Sequence, residues 1–144
     1  MSLWVLETDM LTLWFRGRET VAARVAATPQ QQLAVMIITV EEILRGWYTQ
    51  IRQARDDQQL ARAYQALQET VEFTRSIQLL PFDLPGIRRY RQLRIHHRRI
   101  GTNDLRIAAI VLEQQGILVT RNTTDFGISR GSSLTTGREE RCPH

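Results

Sequence analysis

The 144-residue chain has no lysine and only one cysteine. Cys142 lies in a polar tail without a second cysteine to pair with, which excludes an intrachain disulfide framework and fits a reducing compartment. Long apolar runs are missing as well. None approaches the roughly 20 residues that span a bilayer, and the first residues show neither a basic leader nor a small-residue cleavage site. The expectation is a cytoplasmic protein with no membrane partner. Zinc-type spacing of histidine and cysteine is also lacking. His96 and His97 are adjacent, so they diverge on a helix and read as surface or groove residues rather than ligands.

What is present is a 42% hydrophobic composition, enough for one domain with a single core. All 19 basic residues are arginine, and the formal net charge is +4. That balance suits an anionic partner, and the guanidinium fork suits phosphate, although an all-arginine chain also follows from a biased genome composition.

Strand-like and helix-like segments alternate. Leu3 to Leu6 reads as a first strand, followed by a helical stretch from Asp9 to about Ala27 that breaks near Gly17. Leu33 to Ile38 is a second strand. Thr39 then opens a helix with Leu44, Trp47, Tyr48 and Ile51 at helical spacing, and the next helix carries Leu60, Tyr64, Leu67 and Val71 on a face expected in the core. A third strand spans Ile77 to Phe82, an arginine-rich helix runs to about Ile100, and another runs from Asn103 to about Gln115, where Gly116 ends it. Ile117 to Thr120 is the fourth strand. Beyond Phe126 the apolar periodicity is lost, and residues 127–144 read as a polar, disordered tail. The alternation predicts an α/β fold with a central parallel sheet flanked by helices.

In such sheets ligands bind beyond the carboxyl ends of the strands. Glu7 and Asp9 follow the first strand, Glu41 and Glu42 the second, and Asn122 and Asp125 the fourth, while Asp104 opens a helix. Each acid has a plain structural explanation. Thr39 with Glu42 matches a capping box, Asp104 complements a helix dipole by about 0.3 to 1 kcal/mol, and Asp125 suits a turn. Gathered at one sheet edge, however, the carboxylates would repel one another unless a cation neutralised them. Oxygen donors suit Mg2+, or Mn2+, usually held by one or two direct carboxylates with water in the other positions.

Four stretches together carry a family resemblance. Leu6-Glu7-Thr8-Asp9, Thr39-Val40-Glu41-Glu42-Ile43-Leu44-Arg45-Gly46, Gly101-Thr102-Asn103-Asp104 with Ile107-Ala108-Ala109, and Val119-Thr120-Arg121-Asn122-Thr123-Thr124-Asp125-Phe126 resemble, in order, the four motifs of PIN-domain ribonucleases. The likeness is nearest to VapC-like toxins of bacterial type II toxin-antitoxin pairs and covers residues 3 to about 126, so that residues 1–126 would form the PIN domain. It implies a three-layer fold with a central parallel sheet of four to five strands. It also implies a Mg2+-dependent endoribonuclease acting as a toxin, with RNA as substrate, an antitoxin partner and a homodimer. By the resemblance Glu7 and Asp104 are metal ligands, Glu42 orients a water or accepts its proton, Asn122 and Asp125 complete the pocket, and Thr120 holds a neighbouring water. Two features depart from the family. Glu7 stands where aspartate is usual, and the polar stretch after Phe126 replaces the usual apolar last strand.

The segment from Ile87 to Arg99 carries Arg88, Arg89, Arg91, Arg94, Arg98 and Arg99 and leads directly towards Asp104. Ile87, Tyr90, Leu93 and His97 give it a buried side, which leaves Arg88, Arg91, Arg94, Arg98 and Arg99 for RNA, for an acidic antitoxin segment, or for solvent. Leu11, Leu13, Trp14 and Phe15 look like exposed apolar bulk available for dimer pairing. Two other readings stay open: an impaired PIN fold that still binds RNA or antitoxin, and a non-enzymatic α/β binding module whose acids cap helices.

Overall fold

The structure, a computed structural model, describes residues 2–120 and 127–130. The short apolar runs become strands β1 (Trp4–Leu6), β2 (Leu33–Met36), β3 (Gln78–Leu80) and β4 (Ile117–Thr120), which pair in parallel in the order β3-β2-β1-β4. Six helices lie between them: α1 (Thr8–Phe15), α2 (Glu19–Ala27), α3 (Ile37–Gln53), α4 (Asp57–Phe73), α5 (Leu84–His96) and α6 (Thr102–Glu113). A fifth strand, β5 (Gly127–Arg130), pairs antiparallel with β4. It corrects the expectation that order is lost after Phe126, because an edge strand is held through its backbone and needs little apolar sequence. The rest of the expected tail, residues 131–144, lies outside the described residues.

Successive strand residues point to opposite faces, and the core divides accordingly. Val5, Ala34, Met36 and Leu80 meet Ile107, Ile110 and Val111 of α6 on one face. Leu6, Leu33, Val35 and Val119 meet Met10, Leu11, Val21 and Val40 on the other, with Phe73 and Ile77 packed behind. Three layers result. Each fully buried aliphatic side chain contributes roughly 1.5 to 3 kcal/mol relative to exposure.

Two backbone details set the helix ends. Gly17, with φ +75, takes the left-handed turn that separates α1 from α2. Gly116 packs so tightly that an added Cβ would lie 2.7 Å from Val5 Cγ2. That contact lets β4 start directly beside β1, where the Ile117 amide donates to the Leu3 carbonyl at 2.8 Å.

Several helical expectations are corrected. β2 ends at Met36, whose extended backbone forms the N-terminal boundary of α3, so the helix begins two residues before Thr39. Thr39 is therefore inside the first turn, 1% exposed, and its hydroxyl has no hydrogen-bond partner among the described residues. It caps nothing. On α4, Leu60, Tyr64 and Val71 are exposed instead of core. The helix turns Ala63 and Thr70 inwards, where the Trp47 indole N–H donates to Thr70 Oγ1 at 2.8 Å; small residues there allow close approach to α3. On α1, Leu11 is 1% exposed and Leu13 and Trp14 pack against the core, leaving Phe15 at 43%. The rings of Trp14 and Phe15 both meet Phe73 edge-on, so α1 offers no broad apolar face for pairing. Among the described residues no helix is long and apolar enough to cross a membrane.

Candidate active site

Parallel pairing brings the carboxyl ends of β1, β2 and β4 to one edge, with Leu6 in register with both Val35 and Val119. Glu7 is the first residue beyond that edge. Its amide donates to the Val119 carbonyl at 3.2 Å, and its own carbonyl accepts from the Leu11 amide at 3.1 Å, so the turn from β1 into α1 is tied at both ends. The Glu7 side chain is half-buried.

Glu42 reaches the same edge from α3, and both of its carboxylate oxygens are engaged. Thr8 Oγ1 donates to Oε2 at 2.7 Å, and the Asn103 side-chain amide donates to Oε1. Thr8 directly follows Glu7, and Asn103 directly precedes Asp104. One carboxylate therefore joins the first turns of α1 and α6 to α3, and it draws in two stretches that are 34 and 61 residues from it in sequence. Sequence reasoning missed Thr8 and Asn103. The available signal was a hydrogen-bonding side chain immediately beside each proposed ligand acid.

Asp104 is exposed in the first turn of α6 and makes no hydrogen bond or ion pair among the described residues. It borders a cleft of about 720 Å³ lined also by Ile95, His96, His97, Arg98, Arg99 and Gly101. His96 ends α5 while His97 has left helical geometry, so both reach this cleft instead of diverging. Asp9 is exposed in the first turn of α1, and Glu41 is taken up by Arg45 at 3.1 Å on the outer face of α3. Asn122 and Asp125 lie outside the described residues. Thr120 is placed at the end of β4, but its side chain is outside the described set.

The arginine segment divides by environment. Arg98 and Arg99 line the cleft beside Asp104, and Arg88 is exposed on α5. Arg89 pairs through Nε with Glu113 at 2.6 Å, which ties α5 to α6. Tyr90, 3% exposed, packs with Leu105 and Ala109 and forms the centre of a cationic cluster. Arg94 donates to its hydroxyl at 3.0 Å, and the guanidinium groups of Arg91 and Arg106 lie 5.6 Å from its ring centre. Burial works to raise the Tyr90 pKa, but the Arg94 hydrogen bond and charge, with Thr102 and Arg106, outweigh it and hold the phenol below its ordinary value.

The donors at the edge are oxygens, the chemistry of a hard divalent cation. Among the described residues no three histidine, cysteine, aspartate or glutamate side chains gather at one point. A cation held by one or two carboxylates and water fits this donor set, whereas a zinc-type cage does not.

Comparison with known proteins agrees with the topology. No curated protein matches the chain in sequence. Among solved structures, a chain of the toxin-antitoxin complex from Klebsiella pneumoniae is similar at TM-score 0.62 and 24% identity, covering 84% of this chain and 88% of that one. FitAcB from Neisseria gonorrhoeae is similar at TM-score 0.66 and 22% identity, over 85% and 90% of the two chains. DNA-bound VapBC from Salmonella typhimurium gives 0.68 and 18%, over 87% and 90%. At these identities the likeness is one of fold. The sequence pattern of the PIN domain matches residues 5–127, a span running from β1 to the start of β5 and containing the whole carboxylate edge. With its parallel sheet, Glu7 at the end of β1 and this match over most of its length, the chain belongs to the PIN domain family.

Proposed function

We propose that this PIN-domain chain is the toxin of a toxin-antitoxin pair and acts as an endoribonuclease dependent on Mg2+ or Mn2+. The observation that carries the reading is the grip on Glu42, which draws the neighbours of Glu7 and of Asp104 to one carboxylate at the ligand-binding edge of the sheet. Glu7 and Asp104 would hold the cation; when bound, it supplies a more acidic water and stabilises charge on phosphoryl oxygens. Glu42 orients the attacking water and accepts its proton. Asn122, Asp125 and Thr120 complete the pocket on the β4 side.

Arg98 and Arg99, beside Asp104, hold the RNA backbone at the point of cleavage, and Arg88, Arg91 and Arg94 extend the track along α5. An antitoxin that silences the enzyme would cover this basic surface. The toxin-antitoxin complexes among the similar structures support such a partner. A homodimer belongs to the same reading. Exposed apolar side chains for it include Ile37 and Tyr48, which share a groove with Leu44 and Phe82.

The test is incubation of the purified protein with total RNA, with Mg2+, with Mn2+ and with chelator. Cleavage in either cation and none in chelator is the expected result. Binding of RNA without cleavage in any condition would favour the impaired-enzyme reading, for which the longer side chain of Glu7 is the motivating feature. Neither binding nor cleavage would favour the plain binding module.

A further inference from the structure

We propose that Thr8 and Asn103 are positioning residues that fix the carboxylate of Glu42 relative to Glu7 and Asp104. Its catalytic consequence rests on the nuclease reading; its geometric content does not.

A glutamate side chain has three rotatable bonds, so left to itself it samples many positions, and an error of about 1 Å at a reacting group costs on the order of a hundredfold in rate. Here each oxygen has its own donor, Thr8 Oγ1 on Oε2 and the Asn103 amide on Oε1. Two donors on two oxygens define both the location of the group and the tilt of its plane. Each oxygen keeps a further lone pair with which to accept from a water.

The donors are themselves anchored. Thr8 opens α1 directly after the backbone tie between Glu7 and Val119, and the fully buried Leu11 follows one turn later. Asn103 is the second residue of α6, whose first turn is pinned by buried Leu105 and by the Leu105 amide on the Gly101 carbonyl at 3.0 Å. Helix first turns have unsatisfied backbone amides, and Thr and Asn side chains there commonly serve the local backbone. These two turn outwards to a third helix instead. Glu42 likewise ignores the start of its own helix, where no side chain caps. Because the donors are the chain neighbours of the ligand acids, any movement of Glu7 or Asp104 is transmitted to Glu42 through one residue.

The experiment compares the parent with Thr8→Val, Thr8→Ser and Asn103→Leu in two arms. Crystal structures of the cation-free proteins read the Glu42 carboxylate directly. It should keep its position in Thr8→Ser and shift by about 1 Å or more in Thr8→Val and Asn103→Leu. An unmoved carboxylate in both overturns the proposal. In the kinetic arm, on a defined RNA with Mg2+, kcat should fall about tenfold or more in Thr8→Val and Asn103→Leu, with KM within about twofold. Thr8→Ser should recover most of the rate. A rise in KM at constant kcat, or a rate loss that follows lowered melting temperature and is not rescued by serine, also overturns it. If the parent cleaves no RNA with either cation, the nuclease reading fails, and the crystallographic arm alone decides the positioning.

Discussion

Glu42 and Asp104 sit near one edge of the sheet and are treated in opposite ways. Both oxygens of Glu42 are gripped by side chains from other helices, and the residue is half-buried. Asp104 is exposed, without a hydrogen bond or ion pair among the described residues. A group that must orient a small reactant gains from being fixed beforehand, since the ordering is complete before the substrate arrives. A group that must coordinate an incoming ion needs at least one oxygen lone pair left for it. Under the proposed function, the contrast suits Glu42 to positioned acceptor chemistry and leaves the Asp104 carboxylate available as a ligand.

The largest expected effect comes from removing the open acid. Asp104→Asn takes away a ligand charge and should lower RNA cleavage by about a thousandfold or more with Mg2+ or Mn2+, measured in single-turnover assays. Retained activity would break the assignment of ligand chemistry to Asp104. Glu42→Gln keeps the size of the held group but removes its capacity to accept a proton, for an expected loss of about a hundredfold. Since glutamine leaves the ligand acids untouched, its loss should fall on kcat rather than on the cation concentration required.

Glu7→Asp sharpens the comparison from the other side. Shortening this arm by one methylene should raise the Mg2+-dependent rate by about tenfold and narrow the advantage of Mn2+, which tolerates less regular coordination. Unchanged rates with both cations would remove Glu7 from the metal site. Arg98→Ala and Arg99→Ala should each weaken RNA binding several-fold and reduce the salt dependence of binding by about one phosphate contact. The smallest effect belongs to Arg89→Ala. Its pair with Glu113 is partly exposed, so thermal melting should report a loss of only about 0.5 kcal/mol with cleavage unaltered.

The central strands were legible because they show as short apolar runs, most clearly Leu33 to Met36, which is buried on both faces. The boundary of α3 was not. Ile37 and Ile38 continue the apolar run of β2, so the periodicity cannot mark where the backbone turns from strand to helix. The stripe on α4 misled for a related reason: packing through Ala63 and Thr70 puts the small side chains inside, and the larger Leu60, Tyr64 and Val71 stay outside. β5 was hidden because Gly127–Arg130 contains a single apolar residue, and antiparallel pairing to β4 uses the backbone. In the candidate site Glu7 stood out at the end of β1, whereas Glu42 and Asp104 lie on α3 and α6 and were marked by the motifs around them. Their divergent environments did not stand out. The donors to Glu42 arrive from 34 and 61 residues away, so local pattern does not show that these side chains meet it.

Calorimetric titration of Mn2+ into the parent, Glu42→Gln and Asp104→Asn proteins tests the division of roles most directly, because it needs neither an RNA target nor turnover. Binding in the parent, binding within about threefold of that in Glu42→Gln, and its loss in Asp104→Asn is the predicted pattern. Equal Mn2+ affinity in the parent and Asp104→Asn, or its loss in Glu42→Gln alone, would contradict the assignment of the open acid as ligand and the gripped acid as acceptor.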